Sequence, residues 1–179
     1  MMALNQTVGT QFEWRQPEAF RRFHELLADG QTVASLRFEK GCGTLATATY
    51  GDARWTFKRT GFWSPRVTVR QAGSETDLAI FTPRWTGGGE LAFVAGRQFH
   101  LKSLSFWGGE WAFETQDGSE AVSVRGPHGL MKRGGEASLG LTARSLPETP
   151  ILLLLIWYLR LLMLEDAAAT AAASVAYCG

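Results

Sequence analysis

Leu146-Pro147-Glu148-Thr149-Pro150-Ile151-Leu152-Leu153-Leu154-Leu155-Ile156-Trp157-Tyr158-Leu159-Arg160-Leu161-Leu162-Met163-Leu164-Glu165-Asp166 is the stretch whose reading decides the fold. Thr149 suits a helix N-cap. Pro150 suits the first helical position, where its fixed φ fits and its missing N–H loses no bond. The run 151–164 then reads as a helix that is apolar on every side except at Arg160. A helix without a polar stripe has to be buried all round, in lipid or in protein. A bilayer span takes about 20 mostly apolar residues. The run 151–164 falls short of that, and an arginine at mid-bilayer costs about 2.5–3.5 kcal/mol. Extending the span toward Tyr177 carries Glu165 and Asp166 into the bilayer too. The length favours burial in protein. Glu165-Asp166 then reads as a solvated stop to the helix, ahead of an Ala-rich tail over 167–179.

What precedes the helix is of another kind. Residues 12–145 are rich in Trp, Phe, Val, Thr, Gly and Arg, and alternate apolar with polar side chains over short runs, which is the strand period. Ala53-Arg54-Trp55-Thr56-Phe57-Lys58 puts Trp55 and Phe57 on one face and Arg54, Thr56 and Lys58 on the other. Arg66–70, 99–102, 111–114, 122–125 and Leu139-Gly140-Leu141-Thr142 repeat the pattern. Residues 34–38, 45–50, 78–81 and 91–95 are fainter versions of it. Two further strands are read near 12–14 and within 17–28, although Phe20, Phe23 and Leu27 also fit a helix face behind Pro17. Asp29-Gly30, Gly51-Asp52, Ala72-Gly73-Ser74, Gly87-Gly88-Gly89, Gly108-Gly109 and Asp117-Gly118 separate the runs with turn chemistry. The count is ten to twelve strands at the spacing of an antiparallel barrel or sandwich.

The two parts explain each other. An eight-stranded barrel is filled by its own side chains, whereas a larger one has room for a helix. The helical run rises about 21 Å, close to the roughly 20 Å that a tilted seven- or eight-residue strand spans along a barrel axis. The expected fold is therefore mostly β: an antiparallel closed barrel of about twelve strands enclosing one hydrophobic C-terminal α-helix. It is a single domain over 12–166, with β part 12–145, central helix 150–166, and tails 1–11 and 167–179. Arg160 must snorkel to a barrel mouth or pair with a carboxylate.

The strand pair Gly43-Thr44-Leu45-Ala46-Thr47-Ala48 and Arg54-Trp55-Thr56-Phe57-Lys58, followed by the 150–166 helix, resembles the tubby C-terminal-like superfamily. More narrowly, it resembles the LURP-one-related and phospholipid-scramblase-like branch. The resemblance implies a twelve-stranded barrel threaded by a C-terminal helix. It also implies binding of phosphoinositides through basic residues on the outer wall, or action at membranes. It covers about residues 20–166 as a pattern and brings no matched lipid motif, calcium loop or palmitoylated cysteine cluster.

The chemistry outside that resemblance is sparse. With 18 Lys and Arg against 17 Asp and Glu, the net charge of +1 lacks the basic excess of a nucleic-acid binder. Two cysteines, Cys42 and Cys178, exclude a disulfide scaffold and a four-cysteine zinc site; a single bridge between them is one reading, and two free thiols of a cytoplasmic protein are the favoured one. No basic start followed by an apolar run marks a secretory signal. Gly41-Cys42-Gly43-Thr44-Leu45-Ala46 matches a loose dinucleotide fingerprint, but strand follows where that fingerprint needs a helix. His24, His100 and His128 form no local metal-ligating pair. A small-ligand carrier or an enzyme built on a barrel with an open lumen rests only on the barrel patterning. The expectation is a monomeric, non-enzymatic barrel with no cofactor, no metal and no nucleic acid. Its ligand is an anionic phospholipid or a protein partner, met on an outer wall formed by Arg54, Lys58, Arg66, Arg70 and Lys102, with peripheral membrane association. The alternative is a C-terminal tail anchor carrying a cytosolic β domain.

Overall fold

The computed structural model describes residues 12–19, 21–41, 43–61, 63–85, 87–105, 109–126 and 134–177, with side chains described as far as Ala173. Its strands are β1 (Phe12–Arg15), β2 (Phe23–Ala28), β3 (Gln31–Phe38), β4 (Ala46–Tyr50), β5 (Ala53–Thr60) and β6 (Arg66–Gln71). They continue with β7 (Asp77–Pro83), β8 (Gly89–Phe93), β9 (Gln98–Ser103), β10 (Glu110–Thr115), β11 (Glu120–Arg125) and β12 (Gly134–Leu139). Each strand pairs antiparallel with its sequence neighbours, and β1 pairs with β12 from Phe12↔Ala137 to Arg15↔Gly134, closing the barrel. Closure removes the free edges that an open antiparallel sheet would leave. Asp29-Gly30 makes the β2–β3 turn with φ of 49° and 78°, the left-handed pair that a two-residue hairpin needs.

The helix α1 (Thr149–Tyr177) follows a short 3-10 helix (Leu141–Ser145) and threads the barrel. Residues 151–160 are all buried, and 151–159 share one core with inward strand residues such as Trp14, Leu26, Phe57, Phe81 and Phe113. Aromatic contacts fix the helix rotation. Trp157 stacks on Trp14 at 5.2 Å, nearly parallel, while Tyr158 stacks on Phe38 and meets Phe57 edge-on, both at 5.5 Å. The Tyr158 hydroxyl is not left dry, because it donates to the Thr44 carbonyl at 2.6 Å.

Alternating strand directions sort the loops onto two ends. The helix enters at the end holding the β2–β3, β4–β5 and β6–β7 turns, and leaves at the end holding the β1–β2, β3–β4, β5–β6 and β7–β8 connections. These are called here the entry end and the exit end.

Four local expectations are corrected. Leu139-Gly140-Leu141-Thr142 is not one strand, since β12 stops at Leu139 and the 3-10 helix begins at Leu141. The chain has to turn under the barrel there: the Gly140 N–H donates to Ala121, and the Thr142 hydroxyl to the Glu120 carbonyl. The Thr149 hydroxyl does not cap the helix. It donates to the Ala143 carbonyl at 2.5 Å, tying the helix start to the 3-10 turn. Glu165-Asp166 is not a stop, because α1 continues to Tyr177 and includes much of the Ala-rich segment, which is exposed over 167–173. Nor are the two carboxylates simply solvated. Glu165 accepts two hydrogen bonds from Arg22, at 2.6 and 2.7 Å, and Asp166 one from Arg59 at 2.6 Å. They latch the helix to the exit rim.

Arg160 takes neither expected course: it stays buried, with no carboxylate partner among the described residues. It lies near the exit mouth, its guanidinium 5.7 Å from the Trp157 ring centroid and against Gly126. A Cβ on Gly126 would sit 1.7 Å from Arg160 Nη2, so this glycine is what admits the guanidinium. Arg160 Nε is buried without a hydrogen-bond partner, and no described carboxylate pairs with the group. Burial therefore lowers its pKa from the ordinary arginine value.

Candidate outer-wall anion site

Strand alternation sends Trp55, Phe57, Val67 and Val69 toward the helix, and so turns Arg54, Lys58, Arg66 and Arg70 outward. The register decides how they meet. Lys58 faces Thr68 and Thr56 faces Arg70, so Lys58 has Arg66 and Arg70 as its two diagonal neighbours across β5–β6. Ala72 donates its N–H to the Arg54 carbonyl, which makes Arg54 the next diagonal neighbour of Arg70. The order along the strand pair is Arg54, Arg70, Lys58, Arg66, with diagonal neighbours about 7–8 Å apart. Long cationic side chains at that spacing can contact one phosphate-bearing group together.

The members are not electrically equivalent. Arg70 Nε donates to Asp77 at 2.6 Å and its Nη1 lies 3.6 Å from Glu75, so Asp77 first and Glu75 second hold its pKa above the ordinary value. Arg54, Lys58 and Arg66 are exposed, and none of the three has a carboxylate partner among the described residues. Lys102, placed on the same wall by the sequence reading, is not there. It projects from β9, three strands from β6, and pairs with Glu114. Periodicity had identified its face correctly, but position around a closed barrel is set by strand order.

Lys102 instead lines a shallow cleft of about 440 Å³ with Arg84, His100 and the Gly87 and Gly89 backbone. Its cations are already compensated, Arg84 by Glu90 and Lys102 by Glu114. His100 faces outward between Glu90 and Glu114 in the register, as its place in an alternating strand predicts. His24 faces inward beside Leu26 and meets Trp157 edge-on at 5.9 Å. Burial, aided by the Arg22 charge, lowers its pKa to about 4, so it is neutral in the folded protein at pH 7.

The residue that sequence reasoning missed is Arg22. Besides holding Glu165, it donates to the carbonyls of Gly43 at 2.6 Å, Lys40 at 3.2 Å and Gly41 at 3.3 Å, and its guanidinium lies 3.8 Å from the Phe38 ring centroid. It thereby organises the exit end of β2–β4. The available signal was the acidic pair directly after the apolar run 151–164, which calls for basic partners on the rim. Gly43 belongs to this rim, and the chain runs from it into β4, so the glycine-rich segment leads to a strand and not to a phosphate-binding helix. Cys42, His128 and Cys178 lie outside the described residues. Among the described residues, no helix is long and apolar enough to cross a membrane. No family model, curated protein or solved structure matches this chain.

Proposed function

We propose that the chain is a non-catalytic, tubby-like barrel that binds anionic phospholipid headgroups on the outer face of β5–β6. The observation that carries this reading is the diagonal run Arg54, Arg70, Lys58, Arg66, three of whose members have no carboxylate partner among the described residues. Two further features support it. The helix occupies the lumen that a small-ligand carrier would need, leaving the outside of the barrel as the binding surface. The same burial takes residues 151–160 away from lipid, which argues against their use as a tail anchor.

The test is co-sedimentation of the full chain with phosphatidylcholine vesicles, with and without phosphatidylserine. Each cation near a charged membrane surface contributes about 1 kcal/mol, so Lys58→Gln/Arg66→Gln should weaken binding to anionic vesicles about 30-fold. High salt should weaken the wild type in the same direction. Equal binding by wild type and double variant would remove this wall from the reading.

A further inference from the structure

The net charge of +1 conceals a strong polarity along the barrel axis. Each described strand residue can be assigned to its nearer strand end, and each loop residue to its own end. The exit half then holds twelve Lys and Arg with eight carboxylates, whereas the entry half holds four with nine. The described halves thus carry +4 and −5. Most exit-half carboxylates are consumed in local pairs: Glu25 with Arg15, Glu18 with Arg21, Glu90 with Arg84, Glu110 with Arg125, and the two latch residues. Arg37, Lys40, Lys58 and Arg66 remain there as exposed cations without a carboxylate partner among the described residues.

Apolar exposure follows the same axis. Trp63, in the β5–β6 connection, is 89% exposed, and Trp85, in the β7–β8 connection, is 103% exposed. Leu45, Leu104 and Leu164 are exposed at that end too, against Val94 and Leu141 at the other. Tryptophan beside Lys and Arg is the composition of a membrane–water interface. In addition, α1 leaves the barrel through the middle of this rim and carries no charged residue from 167 to 177, a length of about 16 Å.

We propose that the exit end faces an anionic bilayer, with Trp63 and Trp85 seated at headgroup level and the uncharged end of α1 pointing into the membrane. The inference rests on the headgroup reading above and adds an orientation to it. Lys58 and Arg66 lie in the exit half of the β5–β6 wall, next to Trp63, so wall and rim meet one surface together. The acidic entry half begins about 10 Å from the exit rim and extends to about 20 Å, beyond the Debye length of about 8 Å at physiological salt, and does not cancel the attraction. At low ionic strength, where the Debye length is longer, the axial polarity also turns the exit end toward a negative surface.

The experiment compares the full-length wild type, Trp63→Ser/Trp85→Ser, Val94→Ser/Leu141→Ser and Lys58→Gln/Arg66→Gln on vesicles of phosphatidylcholine with phosphatidylserine. All the substituted side chains are exposed, and circular dichroism with thermal melting confirms that each variant is folded. The expected result is at least a tenfold loss of partitioning for the tryptophan variant and none for the entry-end variant. A second measurement uses brominated phosphatidylcholine, which should quench a share of wild-type tryptophan emission that the Trp63/Trp85 variant lacks at saturating lipid. Should the tryptophan variant bind like wild type while the Lys58/Arg66 variant loses binding, the end-on orientation falls and the wall reading stands. Wild type that binds neither vesicle composition overturns both.

Discussion

His24 makes the folded protein acid-sensitive in a way that one substitution should remove. The imidazole faces the core, edge-on to Trp157, and burial with the nearby Arg22 charge lowers its pKa from 6.5 to about 4. The unfolded chain takes up this proton near pH 6.5 and the folded chain only near 4. Between those values the unfolded state holds more protons, so stability rises with pH. The contribution is complete above pH 6.5, falls by about 2 kcal/mol by pH 5, and is lost to the extent of about 3 kcal/mol below pH 4. His24 Nδ1 has no hydrogen-bond partner, so His24→Leu removes the titration without stranding a polar neighbour. Urea unfolding should show wild type losing about 2.5 kcal/mol more than His24→Leu between pH 8 and pH 4.5. Carboxylates such as Asp117, whose pKa is lowered mainly by the Thr115 hydroxyl, contribute to both curves and cancel in the difference. Parallel curves for the two proteins would refute the reasoning, since a histidine solvated in the folded state has no such linkage.

Three further outcomes are expected. Arg160→Met keeps an unbranched chain in the channel beside Gly126 and removes a buried charge that has no carboxylate partner among the described residues; denaturant titration should show it stabilised by about 1–3 kcal/mol. Gly126→Ala at the same contact should destabilise by at least 1 kcal/mol, and combining it with Arg160→Met should recover part of that loss, a coupling that a double-mutant cycle measures. Leu154→Ala, at a fully buried helix position, should cost about 3 kcal/mol by the same assay, whereas Leu164→Ala, beyond the core and exposed, should stay within about 0.5 kcal/mol.

Much of the architecture was legible in the residues. The 151–164 run has no polar face, and the strand runs alternate cleanly, so a barrel large enough to hold a helix reconciles both with burial. Ala53–Lys58 assigned its inward and outward faces correctly because the strand period is a local property of the backbone. Where local chemistry and tertiary need diverged, the reading failed. Leu139–Thr142 alternates like a strand but has to turn for the helix to enter, and Glu165-Asp166 resembles a helix end until Arg22 and Arg59 are brought beside it.

The sequence by itself determined the strand faces and an all-apolar run that must be buried, and it favoured a barrel around that run over a tail anchor, because hydrophobic periodicity and run length are written along the chain. Only the tertiary structure decided which charges share a surface. It joined Arg54, Lys58, Arg66 and Arg70, sent Lys102 three strands away, and separated a nearly neutral chain into a basic exit half and an acidic entry half. Composition sums charges without regard to direction. In an up-and-down barrel each successive strand reverses, so the end at which a side chain lies depends on strand direction and register, and these exist only once the barrel has closed.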